Sequence, residues 1–163
     1  MERDFGQRIR EHLRQGADLR LRVDGKTIQQ IIDATNLIET SLQLGGLIML
    51  CGNGGSAADC QHIAAELVSS MNRKEREPIA AVALTTDTSI LTAYPNDFNF
   101  SGVFARQVAA IGREGDGLWA ISTSGTSENV LEAVNKAKIR RMKTIGLTRA
   151  GSDLAKLVDC PIE

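Results

Sequence analysis

Apolar side chains recur about every fourth position at the start of the chain: Phe5, Ile9, Leu13, Ala17 and Leu21 form one stripe, and Ile28, Ile31, Ile32, Ile38 and Leu42 form another. That period belongs to a helix, so two amphipathic helices are predicted, separated at Gly25. From Leu47 the rhythm changes to short continuous apolar runs at 47–51, 79–84, 117–121, 144–147 and 158–162. Runs this short and unbroken are those of strands buried on both faces, as in a parallel sheet. Helical periodicity fills the intervals at 56–71, 89–94, 104–111, 129–140 and 152–157.

The resulting β-α-β order, with right-handed crossovers, predicts an α/β fold with a doubly wound, five-stranded parallel sheet whose ligand site lies beyond the carboxyl ends of the strands. A helical pair (1–44) precedes an α/β core (45–163), and a single domain is expected. Two amphipathic helices ahead of a sheet must cover that sheet or the equivalent helices of another copy, so self-association is expected as well.

Composition narrows the function. Nineteen basic and twenty acidic side chains leave a net charge of -1, which gives no general field for nucleic acid or anionic lipid, so an anion must be bound locally. No apolar stretch reaches the length of a membrane span, and Met1-Glu2-Arg3-Asp4-Phe5 lacks the apolar core of a signal peptide, so a soluble cytoplasmic protein is expected. Cys51, Cys60 and Cys160, odd in number and without C-x-x-C spacing, read as core thiols. The charge run at 72–77 reads as a solvated loop.

Three features carry chemistry. In Cys51-Gly52-Asn53-Gly54-Gly55-Ser56-Ala57 a strand hands over to a helix through glycines that permit positive φ and close backbone approach to a ligand. The spacing satisfies G-x-G-x-x-A, but a dinucleotide site also wants an acidic residue about 20 positions on, and the first candidate, Asp87, comes much later. The bland alternative is a tight turn with Ser56 capping the helix. In Ser122-Thr123-Ser124-Gly125-Thr126-Ser127, hydroxyls surround one glycine at a helix amino terminus. That forms a donor-rich cup suited to phosphate, and without the Gly-Lys-Ser/Thr of a nucleotide P-loop it suits a monophosphate ester better than ATP, so no nucleotide cofactor is expected.

The third feature is His62 with Glu66, four residues apart on one helical face. Cys60, Ala64, Leu67 and Met71 make the core stripe of that helix, whereas Asp59, His62, Glu66, Ser69 and Ser70 lie opposite. A solvated pair is the plain reading. Imidazole and carboxylate at this spacing also suit shared proton transfer, or two ligands of a metal that needs more.

Together Cys51-Gly-Asn-Gly-Gly-Ser56, His62-x-x-x-Glu66, Asn96-Asp97-Phe98, Gly112-Arg-Glu-Gly-Asp116 and Ile121-Ser-Thr-Ser-Gly125 resemble the phosphoheptose isomerases of the sugar isomerase (SIS) superfamily. The resemblance implies a homotetrameric aldose-ketose isomerase converting sedoheptulose 7-phosphate to glycero-manno-heptose 7-phosphate for bacterial lipopolysaccharide. It implies that Ser122, Thr123, Ser124 and Ser127 hold the phosphate, that Asn53, Gly54, Gly55 and Ser56 with Asn96 and Asp97 contact the sugar, and that Glu66 moves the proton through an enediol. It further implies an active site between subunits and a zinc site containing His62 and Glu66.

Members of the family carry a glutamine and a histidine on a helix after the last strand as the remaining zinc ligands and the catalytic acid. This sequence ends at Glu163 and has only His12 besides His62, so a half-built metal site is expected. Ser70 stands where the family commonly has arginine, which implies a shifted substrate preference. The competing expectation is a non-catalytic SIS protein that senses a phosphosugar or binds a partner, resembling replication initiator-associating proteins; those generally lack the Glu66 carboxylate and alter the Ser-Thr-Ser loop.

Overall fold

The computed structural model describes residues 4–71 and 75–163. Its elements are α1 (Phe5–Leu21), α2 (Gly25–Gln43), β1 (Ile48–Gly52), α3 (Gly55–Val68), β2 (Ala81–Ala83), α4 (Thr88–Asp97), α5 (Val103–Ile111), β3 (Gly117–Ser122), α6 (Glu128–Ile139), β4 (Lys143–Thr148), α7 (Asp153–Leu157) and β5 (Cys160–Ile162). The five strands are parallel, as the apolar runs predicted, and pair in the order β2-β1-β3-β4-β5. The chain lays β2 on one side of β1 and then crosses to β3 on the other. The order therefore reverses at β1, and the loops leaving β1 and β3 diverge around a crevice.

Alternation along the strands assigns the two faces. Met49, Cys51, Leu118 and Ala120 pack under α5, α6 and α7 with Phe104, Val108, Val130, Val134 and Leu154. On the other face Ile48, Leu50 and Ile121 meet Cys60 and Ala64 of α3, while Ile145, Cys160 and Ile162 meet Ala34 of α2. All three cysteines are buried and free, as core thiols should be, and burial pushes the Cys60 thiol up to about 12, assisted by Asp59.

At the opposite end of the sheet, buried Asp116 accepts from Leu47 N at 2.8 Å and Arg113 N at 2.8 Å, tying the starts of β1 and β3 together. The Gly112 to Asp116 motif is thus a structural brace rather than part of a ligand site.

One of two open alternatives falls away and two expectations change. Helix α1 buries none of its residues, so its stripe does not cover the chain's own sheet: Phe5, Ile9, Leu13 and Leu21 are exposed. Gly25 opens α2 instead of preceding it, because Asp24 caps that helix by accepting from Thr27 N at 2.9 Å. Met71 is not part of the α3 core stripe; the helix ends at Val68 and Met71 is exposed. Of the charge run at 72–77, residues 72–74 lie outside the described residues.

Candidate functional site

The glycine loop is shaped by two contacts that leave no room for side chains. A Cβ at Gly52 would sit 2.9 Å from both Ile121 O and Ser56 Cβ, so β1 can pass this close to β3 and α3 only as glycine. Gly54, at φ 53, is the N-cap of α3 and offers no side-chain cap. Ser56 therefore falls inside the first turn and does not cap the helix. Asn53 exchanges reciprocal amide bonds with buried Asn129 of α6, at 2.8 and 2.9 Å, and so locks this loop to the helix that follows the hydroxyl loop.

The hydroxyl loop is braced from below and open above. Buried Ser122 Oγ lies 3.1 Å from Ser127 Oγ and accepts from Gly125 N at 3.2 Å, which curls the chain into a cup. Gly125 has φ 70, and a Cβ there would run into Ser152 and Thr148, so only glycine closes the curl. Thr123, Ser124 and Thr126 are exposed at the rim. Ser127 is the N-cap of α6 but makes no capping bond through its side chain. Helices α1, α2, α4 and α7 are capped by Asp4, Asp24, Asp87 and Ser152, while α5, which begins at Gly102, shares the lack of a side-chain cap. The helices that meet at the crevice, α3 and α6, keep amide donors and the positive dipole end open to a ligand anion.

Two cavities flank this arrangement. One, of about 420 Å³, lies at the carboxyl ends of the strands and is lined by Ser56, Asp59, Ile121, Thr123, Leu147, Thr148 and Arg149. The other, of about 390 Å³, is lined by His62, Ile63, Glu66, Leu67, Met71, Arg76, Ile79 and Trp119. The two share no lining residue. Helix α3 runs back from the crevice, and Glu66, ten residues after Ser56, lies about 15 Å further along it. One chain thus brings the glycine and hydroxyl loops together but keeps His62 and Glu66 apart from them.

In the second cavity Glu66 is half-buried and His62 exposed. Arg76 donates to Glu66 O and Leu67 O at 2.9 Å each, clamping the last turn of α3. The Trp119 indole N–H is buried and has no partner among the described residues. Asn96 and Asp97 end α4, which continues through Pro95 beyond its predicted limit; both are exposed, with Asn96 Nδ2 donating to Asp97 Oδ1 at 2.9 Å, and neither lines these two cavities. Among the described residues no three His, Cys, Asp or Glu side chains gather as a metal-holding group. His62 and Glu66 are two donors where zinc wants at least three from protein, so by themselves they do not fit the ion.

Sequence reasoning missed Asp59, Thr148 and Arg149 as cavity residues and Arg76 as the clamp on Glu66. Thr148 and Arg149 stand at the carboxyl end of β4, where an open parallel sheet places ligands, and that position was their available signal.

A twisted parallel sheet with an anion-ready crevice at its switch point is the architecture of a sugar-phosphate-binding SIS domain. Residues 11–149 match the SIS domain family, and the chain belongs to it. Relatives within the family include phosphoheptose isomerases. The one from Maridesulfovibrio salexigens is 49% identical over 142 residues, covering 87% of this chain and 69% of the relative. The one from Campylobacter jejuni is 54% identical over 131 residues, covering 80% of this chain and 70% of the relative. The solved structure of the phosphoheptose isomerase from Neisseria gonorrhoeae superposes with a TM-score of 0.89 at 42% identity, covering 96% of this chain and 84% of that one. The chain is an isomerase, and the non-catalytic expectation gives way. No described helix is long and apolar enough to cross a membrane.

Proposed function

We propose that this isomerase interconverts sedoheptulose 7-phosphate and D-glycero-D-manno-heptose 7-phosphate, the opening step toward the heptose of bacterial lipopolysaccharide, in the cytoplasm. The observation that carries the reading is the hydroxyl cup over the uncapped start of α6, fixed to the glycine loop by the Asn53–Asn129 pair. A phosphate ester there takes hydrogen bonds from Thr123, Ser124 and the Ser122–Ser127 pair, which spends one proton between its two oxygens and leaves the other for the ligand; each bond is worth about 1.5–3 kcal/mol when one partner is charged. Asn53, Gly54, Gly55 and Ser56, with Asn96 and Asp97, hold the sugar hydroxyls.

Because Glu66 lines a separate cavity in its own chain, the reading takes the base from a second copy. Glu66 removes a proton from C1 as the C2 carbonyl oxygen is protonated, which gives the enediol. Return of a proton to C2 and loss of the O1 proton then leave the aldehyde at C1. The uncovered apolar stripe of α1 and Ile28, Ile31 and Ile32 of α2 supply surface for the assembly, which the reading takes to be a homotetramer. His62 and Glu66 would supply two donors to a zinc ion completed by further protein ligands, and such an ion would polarise the substrate oxygens.

The test is incubation with sedoheptulose 7-phosphate in deuterated water, with and without added zinc. Deuterium at the exchanging carbon together with aldose formation is expected. Binding of the ester without exchange would overturn this heptose phosphate as the substrate.

A further inference from the structure

The hydroxyl cup offers neutral donors to a ligand that carries about -1.5 to -2 charge. A cation facing the same space would complete the match. We infer that Arg149 is a phosphate-binding residue of this site, brought beside the rim hydroxyl of Thr123 at the carboxyl ends of β3 and β4. The inference rests on the proposed phosphate-cup reading and deepens it by naming the charged partner.

Strand register makes the placement. Ser122 pairs with Thr148, so Thr123 and Arg149 are the next residues out of two adjacent strands, which run about 4.8 Å apart. Alternation puts both on the same face as Ile121 and Leu147, and all four line the cavity of about 420 Å³ with Ser56. Helices do not cover that face here, since Leu147, near the carboxyl end of β4, remains 40% exposed between buried Gly146 and Thr148.

The backbone under Arg149 is fixed rather than loose. Ser152 N donates to Arg149 O at 3.2 Å, Thr148 and Ser152 hydroxyls meet at 3.1 Å, and Leu154 N donates to Gly125 O at 3.0 Å. The last bond joins the first turn of α7 directly to the glycine of the cup. Among the described residues no ion pair engages Arg149, so its planar fork of donors is available to a phosphate. Asp59, the carboxylate on the same cavity wall, repels a second anion and accepts from hydroxyls, which orients a ligand with its phosphate toward Arg149.

The experiment measures KM for sedoheptulose 7-phosphate and the dissociation constant of inorganic phosphate by ³¹P NMR, for the full chain and for R149Q, R149K and the double variant T123V/S124A. R149Q should raise both constants about tenfold with kcat within about twofold, and R149K should recover part of the loss, because a point charge replaces some of the fork. Unchanged constants in R149Q, with T123V/S124A weakened, overturn the role of Arg149 and leave the cup standing. Weakening in R149Q with T123V/S124A unchanged supports Arg149 and removes the cup. Wild-type protein that fails to bind phosphate at millimolar concentration overturns both.

Discussion

The two cavities differ in what holds them and in what they hold. The one at the strand ends is ringed by hydroxyls and two opposite charges, and its loops are cross-braced by Asn53–Asn129, Ser122–Ser127 and Leu154–Gly125. The one on α3 is walled by Ile63, Leu67, Ile79 and Trp119, and sets His62 and Glu66 into that apolar surround. The first is suited to gripping an anion in a fixed place. The second is suited to a carboxylate that shuttles a proton. Under the proposed function, their separation within one chain calls for two copies, one supplying the grip and the other the base.

Variants can break this division of labour in order of size. Glu66→Gln keeps the shape of the side chain and removes the base, so kcat should fall about 10³-fold with KM little changed; steady-state kinetics check it. Gly125→Ala places a Cβ at φ 70 against Ser152 and Thr148. It should lower unfolding free energy by about 2–4 kcal/mol in denaturant titration and weaken phosphate binding in whatever still folds.

Ser124→Ala and Thr123→Val each remove one rim hydroxyl and should raise KM about tenfold at nearly constant kcat, the opposite pattern to Glu66→Gln. The smallest effect concerns the thiols. Burial holds Cys60 up at about 12 and raises Cys51 as well, so neither should react with a thiol reagent at pH 8 until the chain unfolds. Rapid reaction of the native protein at these two residues would show that β1 and α3 are not packed as described.

The fold was largely legible because burial on both faces leaves an unbroken apolar run, and each of the five strands falls within a residue or two of its run. The turns of the two loops were legible for a related reason: glycine at Gly52 and Gly125 is demanded by close backbone approach, whereas the hydroxyls were ambiguous because serine at a helix start also serves as a cap, as Ser152 does for α7. What sequence could not show depends on contacts between distant segments. Arg149 looks like any charged turn residue until the Ser122–Thr148 register sets it beside Thr123. The Gly112 to Asp116 motif carried family resemblance, yet its aspartate faces backbone amides at the far end of the sheet. Helix α1 has the period of a buried helix but no partner in its own chain, since periodicity reports a face to be covered and not what covers it.

Mixing tests the shared site most directly. Glu66→Gln protein retains the cup, and a Thr123→Val/Ser124→Ala protein retains the base; each alone should be nearly inactive at low substrate. After co-refolding in equal amounts, random pairing should restore about a quarter of the wild-type sites, with activity rising accordingly. Activity that stays at the average of the two separate variants would contradict a site built across two copies.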